Sequence, residues 1–345
     1  MRAGKKISDH CDGKRFFNPG YQHLPAPFPP GEDPQPFNYP LVWTGFVFFA
    51  YKWPQWPDPV DPETPGSQNI PEPRNPKGLI FITPVVHSTF LIQMDGLNIL
   101  TDPIWSGRCS ILPSKRLKIH RVPGVRFEDL PDIDAVLISH DHYDHLDTPT
   151  LRRLAGKGVR RSITGLENGQ TIINEGISST HELDWWESAR LSEEVRVTLV
   201  PAQHSSSRCP LIRNVTLWGG FVISGPSGNI YFSGDSGYCS HFREIARRFH
   251  PIRAAILPIA PYWQLNYAHP PCLKFPEGHM GPAEAVQAHM DLGAKISIAA
   301  HYQVFQLGTE GFEDPPKQLS LALEKNHLKP DEFIAPPPGQ RIELT

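Results

Sequence analysis

The sequence predicts an α/β fold, and three observations carry that prediction. From Lys77 onward, short apolar runs of strand character alternate with patterns of helical period. Histidines and aspartates gather just past the ends of several of those runs, the edge at which α/β sheets place their ligands. Before Lys77 the chain changes character. Of its 38 prolines, fifteen lie between Pro19 and Pro73, which argues against long helices and central strands there. Residues 1–76 therefore read as a proline-rich arm that wraps or links, and residues 77–345 as the folded domain.

The elements follow in order. Residues 79–82, 89–92 and 98–101 read as three short strands, with Asp95-Gly96 as a hairpin turn between the last two. A fourth strand, 134–138, leads into a helix over 148–154 capped by Asp147 or Thr148. A less regular segment comes next, with Trp185 and Trp186 expected to pack near the functional edge. Residues 196–200 are a strand that ends toward His204. A hairpin over 217–224 and 229–233 turns at Gly225-Pro-Ser-Gly228 and ends at Asp235. A helix over 242–249, a strand over 254–257, a helix over 282–290, a strand over 295–299 and a helix over 318–326 complete the pattern.

Ser139-His140-Asp141-His142-Tyr143-Asp144-His145-Leu146-Asp147 directly follows the fourth strand. Imidazole and carboxylate are the ligand types for a borderline divalent metal. His140 and His142 are two apart, so in extended backbone they point the same way and can grip one ion. Asp144 and His145 follow where the loop turns and can face a second ion. A solvated polar loop would tolerate the same residues. Against that reading, His204, Asp235 and His301 also fall just past strand ends, and parallel strands bring such positions to one edge.

The net charge of −3 and a pI near 6.6 offer no electrostatic footprint for nucleic acid. Five scattered cysteines form neither a disulfide framework nor a cysteine zinc motif. The N-terminus shows no secretory signal, so the cytoplasm is the default compartment. Residues 41–53 are rich in Trp and Phe but too short to span a bilayer, which needs ~20 apolar residues. They form either a short helix packed on the domain or a peripheral membrane contact through Trp43, Phe46, Phe49 and Trp53.

The pattern His-x-His-x-Asp-His with His204, Asp235 and His301 resembles the metallo-β-lactamase superfamily. Leu100-Thr-Asp-Pro-Ile-Trp105, Leu183-Asp-Trp-Trp-Glu187, Val200-Pro-Ala-Gln-His204 and Gly234-Asp-Ser-Gly-Tyr238 narrow the resemblance to the N-acyl-phosphatidylethanolamine-hydrolysing phospholipase D group. It spans roughly residues 78–345. It implies an αβ/βα four-layer sandwich and makes residues 77–345 the catalytic domain. It also implies two Zn2+ ions, with Mn2+ or Fe2+ as substitutes. Carried over by position, His140, His142 and His204 hold one ion, Asp144, His145 and His301 the other, and Asp235 bridges. His279 matches a histidine near the substrate head group, although a helix-start histidine before Gly281-Pro282 reads equally well as structural. Two departures stand out. Val86 precedes His87 where the family usually has glycine, so His87 is not counted in the site. The segment 262–275 also differs, so substrate identity does not carry over.

The expected activity is a zinc-dependent phosphodiesterase acting on N-acyl-phosphatidylethanolamine-like lipids. Two close metal ions activate a shared water, Asp144 and Asp235 assist as catalytic carboxylates, and His279 helps hold the phosphate. A lactonase or β-lactamase-like hydrolase is the alternative, since the same centre can attack a carbonyl carbon. A non-catalytic metal-stabilised binding protein is the third reading, though structural zinc sites close with four ligands. The expected partner is a phospholipid or small-molecule ester. The sequence leaves the oligomeric state open, a homodimer included.

Overall fold

A computed structural model describes residues 7–19, 53–64, 70–76, 78–110, 114–209, 212–262 and 278–345. The predicted aromatic segment lies outside these residues up to Tyr51-Lys52, as does the divergent segment beyond Tyr262. No helix among the described residues is long and apolar enough to cross a membrane.

Two seven-stranded sheets face each other. The first runs β14 (Ile342–Leu344), β1 (Ile80–Val86), β2 (Thr89–Met94), β3 (Leu97–Thr101), β4 (Ala135–Ile138), β5 (Arg161–Gly165) and β6 (Ser179–Leu183). The second runs β13 (Phe333–Ile334), β12 (Ile296–Ala300), β11 (Ile252–Pro258), β10 (Gly228–Phe232), β9 (Gly220–Gly225), β8 (Arg196–Val200) and β7 (Ser188–Arg190). Side chains alternate across each strand with period two. In β4, Ala135 and Leu137 enter the core between the sheets, while Val136 and Ile138 face outward. On that outer face they meet Leu151 and Leu154 of α1 (Thr148–Gly156) and Ile172 of α2 (Gly169–Asn174). The second sheet does the same. Phe221, Ile223, Ile230 and Ile256 point inward, and Val222, Tyr231 and Leu257 meet three helices. These are α3 (His241–Phe249), α4 (Pro282–Leu292) and α5 (Asp314–Lys325). Both faces of both sheets are therefore covered, and the result is the four-layer αβ/βα sandwich.

Strand direction positions the site. β3 and β4 run parallel, and β1 runs the same way because β2 is antiparallel to both β1 and β3. In the second sheet β8, β10 and β12 share one direction by the same reasoning. His87, Asp102 and His140 follow the ends of β1, β3 and β4. His204, Asp235 and His301 follow β8, β10 and β12. The two edges are stitched where Gly219 N–H donates to Ser139 O at 3.1 Å. Gly234 is required there, since its φ is +58° and a Cβ would come within 2.6 Å of the Ser139 Cβ.

The predicted arm is partly integral to this core. Cys11 and Phe16 are buried against the cluster that fills the space between the sheets, and His10 stacks on Trp185 with ring centroids 4.4 Å apart. Trp185 is itself buried and donates from Nε1 to Trp218 O at 2.7 Å, while Trp186 carries the Arg248 guanidinium over its ring.

Candidate metal centre

The loop 140–147 folds back on itself, because the N–H groups of His145 and Leu146 both donate to His142 O, at 3.1 and 2.8 Å. It then enters α1 through Asp147, whose carboxylate accepts from Thr150 N as the N-cap. Arg208 closes the loop from outside, its Nη1 donating to the carbonyls of Asp141 and Leu146 at 2.8 Å each. Asp141 turns away from the centre and accepts from Ser207 N at 2.7 Å.

Two groups of donors result, each with its ligand atoms within 4.8 Å of one another. One comprises His140, His142, His204 and Asp235, the other His87, Asp144, His145 and His301. In the first, the His140 Nε2–His142 Nδ1 distance is 2.9 Å and His204 Nε2–His142 Nδ1 is 3.3 Å. Asp235 Oδ2 lies 3.8 Å from both His140 Nε2 and His204 Nε2. In the second, Asp144 Oδ2 lies 3.0 Å from His87 Nε2, 3.4 Å from His145 Nε2 and 3.3 Å from His301 Nε2. Asp235 Oδ2 touches this group as well, at 3.0 Å from His145 and 3.2 Å from His301. Donors about 2.0–2.1 Å from a tetrahedral ion stand about 3.3 Å apart, so both groups have the spacing of a divalent metal shell.

Hydrogen bonding makes the same point. Nε2 of His145, both ring nitrogens of His301 and Oδ1 of Asp235 are buried without a hydrogen-bond partner among the described residues. Polar atoms so close to carboxylates yet misaligned for N–H donation suit an atom placed between them. Behind them the imidazoles are oriented from their other nitrogens. His145 Nδ1 meets Asp102 Oδ2 at 2.7 Å, His140 Nδ1 meets Ser139 Oγ at 2.8 Å, and His204 Nδ1 meets Gly278 O at 2.8 Å. Asp102 also accepts from the Ser139 N–H and Oγ, so one buried carboxylate steers two histidines.

Burial and charge pull the imidazoles in opposite directions. Burial, followed by the neighbouring imidazole His145, holds His140 well below its usual range, and burial with His204 takes His142 to about 3. Burial lowers His204 too. For His145 and His301 burial also opposes charge, but Asp235 and Asp144 outweigh it. His145 is raised well above normal and His301 to about 9. Burial would raise Asp235 and Asp144, but the histidines around them hold both far below the usual carboxylate range.

His279 borders both groups, with a ligand atom within 4.8 Å of those of Asp235 and His301. Its Nδ1 is 3.8 Å from Asp235 Oδ2, its ring centroid is 5.0 Å from that of His204, and 16% of its side chain is exposed. The structure thus brings all seven metal-capable residues of the sequence reading, and His279, to one place.

Three further residues join them. His87, set aside because Val86 precedes it, contributes Nε2, and its carbonyl accepts from His301 N at 3.1 Å. The strand-end rule that singled out His204 applies equally to His87. Asp102 obeys that rule as well. Asn18, in the predicted arm, brackets the His204 peptide: its Nδ2 donates to His204 O at 2.8 Å and its Oδ1 accepts from His204 N at 3.3 Å. No local signal marks Asn18. His87, Asp102 and His301 have φ values of 56°, 31° and 62°, left-handed conformations that cost non-glycine residues ~1–3 kcal/mol each and persist only where surrounding contacts enforce them.

A family model described as the β-lactamase superfamily domain matches residues 97–302. The chain is 39% identical to an uncharacterized protein of Mycobacterium tuberculosis over 75% of this chain and 67% of that protein. It is 31% identical to the N-acyl-phosphatidylethanolamine-hydrolyzing phospholipase D 1 of Caenorhabditis elegans, over 77% of this chain and 76% of that enzyme. A solved metallo hydrolase from Ignicoccus hospitalis superposes with a TM-score of 0.58 over 77% of this chain and 99% of that one. At 19% identity that likeness speaks to the fold alone.

Proposed function

The chain belongs to the β-lactamase superfamily as a metal-dependent hydrolase, and we propose that its reaction is hydrolysis of a phosphodiester in an N-acyl-phosphatidylethanolamine-like lipid. The observation that carries this reading is the pair of four-donor groups meeting at Asp235, in a chain similar to a phospholipase D over most of both lengths. His140, His142 and His204 would hold one divalent ion, and His87, Asp144, His145 and His301 the other, with Asp235 between them. Two zinc ions suit this nitrogen–oxygen donor set, and manganese or iron would be accepted by it. Bound there, such a pair supplies Lewis-acid stabilisation of the phosphoryl oxygens and a water of lowered pKa.

The protein's own residues do the rest. Asp102 and Ser139 keep His145 and His140 in the orientation that presents Nε2 to the centre. His279, the partly exposed imidazole, binds a non-bridging phosphate oxygen of the substrate. Asp144 takes the proton released as water attacks phosphorus and passes it to the oxygen that leaves, so that the phosphodiester and one water give a phosphomonoester and an alcohol. Residues 77–345 form the catalytic domain, since every proposed metal donor lies there.

A substrate panel tests the proposal. Metal-reconstituted protein is assayed on an N-acyl-phosphatidylethanolamine, bis-p-nitrophenyl phosphate, a homoserine lactone and a cephalosporin. The lipid and the diester should be turned over fastest, and exhaustive chelation should abolish turnover. Preference for the lactone or the cephalosporin would replace phosphorus with a carbonyl carbon as the target. Turnover that survives chelation would remove the metal from the mechanism.

A further inference from the structure

Behind the first donor group lies a circuit of polar side chains, none of them a donor of either metal group. Its members, Gln203, Ser236, Cys239 and His241, are all buried. Gln203 immediately precedes His204, and Ser236 immediately follows Asp235. Those two ligand-bearing turns leave β8 and β10, which are not neighbours, since β9 lies between them in the sheet. Past the strand ends the turns are joined directly. Gly237 N–H donates to Gln203 O at 2.9 Å, and Gln203 N–H donates to Ser236 Oγ at 3.0 Å. Across that junction Asp235 Oδ2 stands 3.8 Å from His204 Nε2.

The hydrogen bonds around Ser236 can be followed proton by proton. Its hydroxyl donates to Gly237 O at 2.8 Å, so its lone pairs accept from Gln203 N–H and, at 3.3 Å, from His241 Nε2–H. Burial takes His241 to about 3, which keeps the imidazole neutral and leaves Nδ1 as an acceptor. That nitrogen meets the Cys239 thiol at 2.7 Å, and burial pushes the thiol up to about 11, so the sulfur keeps the proton it donates. Cys239 Sγ lies 4.0 Å from Gln203 Oε1, which brings the circuit back to Gln203. His241 also opens α3, whose Phe242 and Ile245 are buried in the outer layer. Both ligand turns are thereby tied to a packed helix. The contrast with the centre is direct: both ring nitrogens of His241 are engaged, whereas those of His301 lack a partner among the described residues. A buried polar network costs free energy unless its members are paired, and paired it fixes one arrangement of its surroundings.

We propose that His241 and Cys239 are positioning residues for the ion held by His140, His142 and His204. They set the Ser236 hydroxyl under Gln203 N–H, and this junction holds His204 and Asp235 at the separation the ion requires. The inference rests on the metal-centre reading and adds to it two residues that touch neither ion nor substrate.

The test starts from the cobalt-loaded full chain and removes the ion with a competing chelator, followed by visible spectra. His241→Leu keeps bulk and removes both side-chain hydrogen bonds. His241→Gln returns an amide donor at the reach of Nε2, and Cys239→Ala removes the thiol alone. His241→Leu should weaken the ion at the His140-His142-His204 group about tenfold and shift its spectrum, with the other ion held as in wild type. His241→Gln should recover most of that affinity, and Cys239→Ala should cost about three- to fivefold. Affinities and spectra equal to wild type in the variants would overturn the proposal, whatever happens to Tm. Equal weakening of both ions together with a lowered Tm would also overturn it, since general loosening of the fold does that. If His241→Leu does not fold, Cys239→Ala and His241→Gln decide by the same criteria. A wild-type chain that takes up no cobalt would overturn the metal-centre reading and this inference with it. Two bound ions in wild type beside unaffected variants would overturn this inference alone.

Discussion

The two halves of the candidate metal centre contain three imidazoles each and differ in their carboxylates. Around His140, His142 and His204 no carboxylate oxygen of the described residues comes closer than that of Asp235, at 3.8 Å from two of the rings, and burial keeps all three imidazoles below their usual range. Around His145 and His301 stand Asp144 and Asp235, with Asp102 behind His145, and the same burial loses to the carboxylates. His87, in the second half but touched by only one carboxylate oxygen at 3.0 Å, stays at about 3. Dehydration alone therefore does not decide the charge of a buried histidine. Carboxylates within about 3.5 Å oppose it here, because Coulomb energy rises steeply as the surroundings lose water. The second half gathers more negative charge and should hold a divalent cation more tightly.

The largest effect expected is loss of either half. His142→Ala and His301→Ala should each reduce turnover by about a thousandfold or more, the scale set by losing several kcal/mol of transition-state stabilisation. Elemental analysis during graded chelation should show wild type losing its ions in two steps, with the late, tightly held ion kept in His142→Ala and missing in His301→Ala. Equal retention in both halves would erase the contrast drawn from the carboxylates.

His87→Ala sharpens the boundary of the second half. It should lower metal content by up to one ion per chain and leave the His140-His142-His204 group loaded. Unchanged stoichiometry would make His87 a neighbour rather than a ligand. Asp102→Asn reaches the second half from behind, through His145 Nδ1. Its expected cost is about 10–100-fold in metal affinity, the range for outer partners of ligating histidines. An isothermal titration showing no change would mean that packing alone orients His145.

Asn18→Ala acts on the first half only. Removing two peptide hydrogen bonds, each worth about 0.5–1.5 kcal/mol, should weaken the ion at His204 by several-fold and spare the other. Spectra of cobalt-substituted protein would tell the two sites apart.

The smallest expected effect concerns the anchor that delivers Asn18. Burial works against a charged His10, but Asp184 and Asp9 prevail and raise it above its normal value of 6.5. A raised folded-state pKa stabilises the folded form below the unfolded value, and that stabilisation is lost as pH rises through the folded one. Proteolytic protection of residues 7–19 should therefore be greatest below pH ~6.5 and decline as pH rises through the raised folded-state value. In Asp184→Asn the profile should flatten; an unaltered profile would assign the anchoring to Cys11 and Phe16 instead.

Much of this architecture is legible along the chain. The loop 139–147 is contiguous, so its donors can be read together, and His204, Asp235 and His301 reveal themselves by standing past strand ends. What escaped has identifiable reasons. β6, Ser-Thr-His-Glu-Leu, is an edge strand with one buried residue and no apolar alternation to detect. β7 has only three residues, none buried. His87 was masked by its neighbour Val86, although its position obeyed the rule. Asn18 sits in a proline-rich stretch and lies 186 residues from the peptide it brackets.

By itself the sequence determined the chemistry available: which donor types exist, their spacing in the loop, and the sheet edge on which they end. Those properties are local, set by strand periodicity and by side-chain pKa values and ligand preferences. Only the tertiary structure brought His87 and Asp102 to the candidate centre, set an N-terminal asparagine against it, and placed carboxylates beside some of its imidazoles and not others. Electrostatics and hydrogen bonding depend on separations of a few ångströms in space, and distance along the chain carries no record of them.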